Sequence, residues 1–445
     1  MSFIIDKQTL NDLNIFGKNR GESVYSLFNG TQTKGGALIL EEIFRYPLSD
    51  VTEINKRSSQ ICFFREKGVT FPFRGELFDT VEYYLSNTDN RSRLAPEENK
   101  LQQKFRSYMG TDTEYEQVHK GVLAWIEIIN KLDDFVQLIL SSKGGTPYDA
   151  DAAEIRDMIL DFSWASVEKE AKKLSYTKTA EYDRILRYEK RDKLKELLYF
   201  IYNLDVYIAV AGVAAKRGFV FAKALDQLQN KISIRGLYHP QLKSPISNTI
   251  EIDENSNIIF LTGANMAGKS TFMKSFGISI FLAHIGFPLP VESMEFTLQS
   301  GMYTTINLPD NLSMGYSHFY AEVLRLKKVA EQVSRTQNLV IIFDELFRGT
   351  NVKDAYDATV AVTEAFARKR NCTFVISTHI IEAGETLKEL CGNINFVYLP
   401  TVMEGSQPVY TYKLKAGITN DRHGMMIINN EHILEIIKGS ESFTK

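Results

Sequence analysis

Cysteine is scarce in this chain: three residues in 445, Cys62, Cys372 and Cys391, with no CxxC pair among them. That excludes a disulfide framework and a thiolate zinc site, and an odd set of reduced thiols points to the cytoplasm. Proline (11 residues) and glycine (27) are too few for a collagenous or low-complexity chain, and 44% hydrophobic with 24% charged residues is a globular composition. Net charge is nearly absent as well. Fifty-five acidic against 52 basic residues leave −3, so no overall field draws the chain to nucleic acid or membrane, and a polyanion needs a local site. Long hydrophobic runs are also missing. Val206 to Ala215 ends at Lys216 and Arg217, short of the roughly 20 residues that a membrane span requires. The start, Met1 to Lys7, has no basic region followed by an apolar run, so no secretory signal is expected. The expectation is a soluble cytoplasmic protein without a membrane partner. At roughly 100–200 residues per domain, the length allows two or three domains.

The first half is helical in pattern. Val118, Val122, Trp125, Ile129, Leu132, Val136 and Ile139 step alternately by four and three, which writes a narrow apolar stripe on one helix face. Further helices are expected from about Ala152 to Lys173 and from about Tyr182 to Lys216, the latter with Ile185, Leu186, Leu194, Leu197, Leu198 and Ile201 on its apolar face. Ser141 to Tyr148, with paired Gly and a Pro, marks a helical hairpin between the first two. The charges from Glu168 to Glu196 mix both signs, which fits a solvated helix surface first and a phosphate-contacting tip second.

After residue 235 the texture changes. Ile258–Thr262, Leu339–Phe343 and Thr373–Ser377 are short apolar runs, as expected of strands covered on both faces in a parallel sheet. Helical periods separate them at Lys269 to Ile285, Phe319 to Val333 and Asp354 to Arg370. The expected fold is therefore an all-α helical domain, residues 1–235, followed by an α/β domain, residues 236–445.

Gly263-Ala264-Asn265-Met266-Ala267-Gly268-Lys269-Ser270 fits GxxxxGK[ST] between a buried strand and a helix, the context this motif requires. Such a turn points backbone N–H groups and a helix dipole at phosphate oxygens. Lys269 is the candidate for the β/γ-phosphates and Ser270 for Mg²⁺, while Thr271 closes the nucleotide-binding loop, which makes the α/β half, residues 236–445, an expected P-loop ATPase domain. Asp344 ends the second strand facing the ligand crevice, where it can hold Mg²⁺ through water. Glu345 can polarise the water that attacks the γ-phosphate; its alternative is a helix cap or a pair with Arg348. Ser377-Thr378-His379 ends the third strand, so His379 can reach the γ-phosphate or that water, whereas His284, on an apolar helix, is expected to pack structurally. ATP and Mg²⁺ are the cofactors these residues imply.

These segments together resemble the MutS family of DNA mismatch-repair ATPases, within the wider ABC-type class. Thr262 to Thr271 keeps the Asn265-Met266 pair of the family's loop, Asp310 to Phe319 followed by Glu322 is similar to its signature segment, Phe343 to Thr350 to its DE-x-x-RGT segment, and Ser377-Thr378-His379 to its switch histidine. Ser23 to Gly36 and Tyr46-Pro47-Leu48 resemble the start of the family's helical core, Tyr238-His239-Pro240 its passage into the ATPase domain, and Lys413 to Gly417 that domain's closing segment. The resemblance implies core and lever helices in the first half, DNA as a partner, branched structures included, and repair or recombination proteins as further partners. It also implies a homodimer with composite ATP sites, in which Ser317 reaches the other subunit's γ-phosphate. Ser317 alternatively caps the helix that follows it. The chain begins at the core, so the mismatch-reading wedge and connector domains are expected to be absent, the clamp between Ser163 and Tyr188 shortened, and the terminal dimerisation helices minimal. Where many members stack an aromatic on adenine, the sequence offers Pro245 or Ile246. A nucleotide-switched ATPase that grips a protein instead of DNA is the alternative reading.

Overall fold

The computed structural model describes residues 3–17, 22–87, 89, 92–94, 112–141, 145–169, 173–227, 229–264, 266–307, 318–404, 407–419 and 432–437. Two of the candidate site residues, Asn265 and Ser317, lie outside these, as does most of the signature-like segment. The chain forms two compact units: Met1–Leu27, Tyr46–Ser58 and Arg217–Lys445 in one, Phe28–Arg45 and Ser59–Lys216 in the other. This grouping differs from a single division at residue 235. The reason is hydrogen bonding by the early segments within the α/β unit. Leu48 N–H donates to His284 O at 2.9 Å, Asn55 exchanges two bonds with Ala224, and Arg57 donates to Ile285 O at 3.0 Å.

In the α/β unit the strands are β1 (Ile4–Ile5), β2 (Lys223–Leu225), β3 (Ile232–Leu237), β4 (Asn248–Ile252), β5 (Ile258–Gly263), β6 (Ser293–Thr297), β7 (Gly301–Thr305), β8 (Leu339–Phe343), β9 (Thr373–Ser377), β10 (Ile394–Leu399), β11 (Thr401–Glu404), β12 (Gln407–Tyr410) and β13 (Lys415–Ala416). The main sheet runs β1-β7-β8-β9-β5-β10-β13. All its pairings are parallel except β10 with β13. Every residue of β5, β8 and β9 is buried, which is why these strands read as unbroken apolar runs rather than as alternating ones. Helices Lys269–His284, His318–Arg335 and Val352–Ala367 follow β5, β7 and β8 in the chain. A smaller sheet, β2-β6-β3-β4, lies apart in hydrogen bonding from the main one. Because β5, β8 and β9 are parallel, their C-terminal ends share one edge, where an α/β sheet presents its ligand crevice.

The elements of the second unit are all helices among its described residues. Its longest helix, Asp112–Leu140, carries the four-three stripe, and all seven stripe residues are buried. The helix expected from Ala152 to Lys173 breaks at Asp161 into Asp149–Leu160 and Trp164–Val167. Arg191–Arg217 is long and apolar enough to cross a membrane by length and composition, and longer than the apolar run from Val206 to Ala215. Yet more than half of its most apolar stretch is buried inside the protein, and Asp205 sits within that stretch. The Asp205 carboxylate accepts Gln32 N–H at 3.0 Å, Thr33 N–H at 2.8 Å and Thr33 Oγ1 at 2.7 Å, just before the helix Lys34–Arg45. A carboxylate paired at a helix N-terminus is how a core helix uses a buried acid.

Candidate nucleotide site

The glycine-rich turn leaves β5 at Gly263 with φ 147° and enters the next helix at Gly268, whose φ of 100° is left-handed. These are the two positions where glycine is required: a Cβ on Gly263 would press on Leu399 O at 3.2 Å, and one on Gly268 on the Tyr412 ring at 3.0 Å. Met266 between them is also left-handed at φ 69° and is 77% exposed, a strained conformation of the kind that clusters at binding loops. Ala264, Met266, Ala267, Gly268, Lys269, Ser270 and Thr271 all line one cleft of about 610 Å³, within the range of small-molecule sites.

Lys269 is buried, and its Nζ donates to Gly263 O at 2.9 Å and Ala264 O at 3.2 Å. Burial lowers its pKa, an effect that the carboxylates of Glu345 and Asp344 partly offset. Ser270 Oγ donates to Asp344 Oδ2 at 2.5 Å, and Ser377 Oγ donates to Asp344 Oδ1 at 2.5 Å. The carboxylate that ends β8 is thus fixed between the first turn of one helix and the end of β9. A hydroxyl beside a carboxylate is a hard oxygen donor pair, the chemistry that suits Mg²⁺ together with substrate phosphates. Among the described residues no cluster of three or more His, Cys, Asp or Glu offers an all-protein metal cage. The donor set therefore fits Mg²⁺ and not a thiolate or imidazole metal.

Glu345 follows with φ 57°, an uncommon backbone for a non-glycine residue, and its N–H is held by Ser377 O at 3.1 Å. Its carboxylate meets His379 Nε2 at 2.5 Å and Arg348 Nε at 3.4 Å. The hydrogen bond from His379 holds its pKa below the usual range against the opposing effect of burial, with the charges of His379, Arg348 and Lys269 adding to it. The residue stays ionised at neutral pH and can accept a hydrogen bond from water. Glu345 lines the cleft and also pairs with Arg348. It lines the large cleft and also a smaller one of about 170 Å³, with Asp344, Thr305, Asn307 and Arg348 around it.

His284 is fully buried. Its Nδ1 bonds to Leu48 O at 3.0 Å and its Nε2 faces Gln299 N–H at 3.3 Å, so it packs structurally as its place on an apolar helix implied. Pro245 and Ile246 do line the large cleft, but so do Tyr238, His239 and Tyr412. Tyr412 is an aromatic at this cleft that the sequence does not announce. It is placed by Asn248, whose Nδ2 donates to Tyr412 O at 3.0 Å and whose Oδ1 accepts Leu414 N–H at 2.8 Å. No local pattern announces that contact, since Asn248 and Tyr412 are far apart in the chain. Ser377 was legible as part of a strand end but not as a partner of Asp344.

The family model for MutS domain V matches residues 259–443. The chain is similar to the DNA mismatch repair protein MutS of Fusobacterium nucleatum, 29% identical over 53% of this chain and 26% of that protein. It is likewise similar to the DNA mismatch repair protein MutS of Persephonella marina, 27% identical over 58% of this chain and 30% of that protein. For the protein of that name from Listeria monocytogenes the identity is 26%, over 62% of this chain and 31% of the relative. The chain spans about a quarter to a third of the length of these curated relatives.

Proposed function

From the MutS domain V match over residues 259–443 and the similarity to MutS proteins, we propose that this chain is a MutS-family, Mg²⁺-dependent P-loop ATPase that couples ATP binding and hydrolysis to DNA binding in repair or recombination. One observation carries the reading: Lys269, the Ser270–Asp344 pair and the Glu345–His379 pair converge where the parallel strands end. In this reading the loop from Gly263 to Thr271, Asn265 included, cradles the phosphates, with Lys269 as the point charge on them. Ser270 and Asp344 hold Mg²⁺, which supplies charge neutralisation on the phosphates when bound. Glu345 orients the attacking water and accepts its hydrogen bond, while His379 steadies the Glu345 carboxylate beside the γ-phosphate. Tyr412, Tyr238 and His239 offer ring faces to the base. Ser317 completes the site of a second copy, making a homodimer with composite sites.

The test is phosphate release by the wild-type chain and by Glu345→Gln, with nucleotide affinity measured on both. Glu345→Gln is expected to keep its affinity within about twofold while turnover falls by about two orders of magnitude or more. Wild-type turnover no higher than that of Lys269→Ala defeats the ATPase reading. The DNA arm compares turnover without DNA, with linear duplex, mismatched duplex and a four-way junction at one salt concentration, since phosphate contacts are salt-dependent. One observation favours the second reading, a protein partner. Several cations between Glu168 and Glu196 are engaged by carboxylates of the chain itself: Lys178 by Glu168, Arg187 by Asp183, Lys190 and Lys193 by Asp161. Equal turnover in every DNA arm, with no salt-dependent binding, selects that reading.

A further inference from the structure

The first residues of the chain are built into the hydrolysis side of this site. β1 adds to the edge of β7, in register Ile4 with Gly301 and Ile5 with Met302, and the helix Lys7–Asp12 follows directly. Asp6 caps that helix, accepting Thr9 N–H at 3.0 Å and Thr9 Oγ1 at 2.8 Å. The same carboxylate pairs with Arg325, and with Lys328 at 2.9 Å, both on the helix His318–Arg335. Thr9 Oγ1 in turn accepts Thr304 N–H at 3.0 Å.

Asp12 is almost fully buried and grips the end of β7. Its Oδ2 accepts Thr304 Oγ1 at 2.7 Å and Ile306 N–H at 2.9 Å, and its Oδ1 accepts Asn307 N–H at 3.1 Å. Gln8 Nε2 donates to Asp12 Oδ1 at 3.0 Å and to Asn307 O at 2.8 Å. The gripped residues touch the reacting end of the site. Thr305 O accepts Asp344 N–H at 2.9 Å, and Thr305, Ile306 and Asn307 wall the small cleft that Asp344 and Glu345 share. Leu13, next in the chain, fills the space over Gly277, where an added Cβ would meet its Cδ2 at 2.8 Å. Gly277 lies on the helix that begins with Lys269 and Ser270. A two-residue edge strand gains little from its own hydrogen bonds, yet here a buried carboxylate has been placed where three donors of one strand end converge, and each such bond to a charged acceptor is strong.

We infer that Asp12, supported by Asp6 and Thr9, is a positioning residue for hydrolysis: the N-terminal helix latches the Thr304–Asn307 strand end and so fixes Asp344 and Glu345 against the small cleft. This rests on the ATPase reading. The test uses the full chain with Asp12→Ala, Asp12→Asn and Thr9→Val, measuring kcat, affinity for a fluorescent ATP analogue and amide hydrogen exchange. Asp12→Ala and Asp12→Asn are expected to lower kcat by about tenfold or more while leaving nucleotide affinity within about twofold. Exchange at Ile306, Asn307 and Asp344 rises by about tenfold, with β5 unchanged. Thr9→Val deletes the Thr304 bond and the hydroxyl's own bond to Asp6, leaves the Thr9 N–H cap bond and all of the Asp12 bonds in place, and lowers kcat by a few-fold; it serves as the folded probe if the Asp12 variants do not fold. Wild-type kcat in a folded variant overturns the latch, as does a loss of affinity that matches the loss of kcat, because a merely structural role moves both. If the wild-type chain itself shows no turnover, the ATPase reading fails and the exchange data alone decide the latch: unchanged protection at Ile306 and Asn307 refutes it.

Discussion

Single atoms decide how this site and its surroundings respond to change. Ser377 Oγ holds the Asp344 oxygen that Ser270 does not, so Ser377→Ala leaves the carboxylate proposed to hold Mg²⁺ positioned by one hydroxyl. Outer partners of this kind are worth roughly 10- to 100-fold in metal affinity. Ser377→Ala is accordingly expected to raise the Mg²⁺ concentration for half-maximal turnover by about tenfold, read from a Mg²⁺ titration at saturating ATP. His284 makes a separate prediction about pH. Burial pulls its pKa down to about 4, against the pull of its bond to Leu48 O. The Gln299 N–H pointing at Nε2 leaves no place for a second proton. The unfolded chain therefore binds more protons than the folded one between roughly pH 6.5 and 4, and folding stability rises with pH through that window. The contribution is fully present above the unfolded value and is lost as pH falls, on the order of 3 kcal/mol by pH 4. Chemical denaturation at stepwise pH should show a shallower loss for His284→Gln than for the wild-type chain; parallel curves would remove His284 as the cause.

At the scale of elements, the stripe on Asp112–Leu140 can be tested at its largest member. Trp125 is fully buried, and its Nε1 has no hydrogen-bond partner among the described residues. Trp125→Ala is expected to cost about 3–5 kcal/mol through lost burial and the cavity left behind. Trp125→Phe should cost much less, because no indole hydrogen bond is surrendered. Urea unfolding followed by far-ultraviolet circular dichroism measures both. The same stripe shows what sequence can reveal: its period, the strands at Leu339–Phe343 and Thr373–Ser377, and the glycine loop are all written locally. What was not legible depends on distant partners. The π-helical turn Arg184–Glu189 interrupts an otherwise helical pattern where buried Arg187 grips Asp183 at 2.5 and 2.7 Å and Tyr84 Oη donates to Asp183 at 2.7 Å. That network draws on two stretches of chain that no local window contains. β1 is two residues long, too short to leave a period, and joins the sheet only because Ser300 and β7 lie beside it.

For the molecule as a whole, the discontinuity of the two units means that the chain passes from one to the other inside a helix, at Ser58 within Val51–Lys67. The first candidate site residue, Gly263, follows all of these passages. A composite site adds a requirement that no single copy can meet, and it can be separated from a self-contained site by complementation. Ser317→Ala keeps the Lys269 loop but offers no serine to a partner; Lys269→Ala does the reverse. In a composite dimer, each variant alone is inactive, whereas a one-to-one mixture forms mixed dimers carrying one complete site. With half of the dimers mixed and one of two sites intact, turnover should recover to about a quarter of the wild-type value. Self-contained sites give no recovery on mixing, because each chain keeps its own defect. Glu345→Gln supplies the matching physical readout: with ATP and Mg²⁺ it should sediment at twice the 50.7 kDa of the single chain, and with ADP it should return to the lighter species, since only an unhydrolysed γ-phosphate can bridge Ser317 to the opposite loop. Recovery on mixing without an ATP-dependent mass change would place the shared contact somewhere other than the nucleotide.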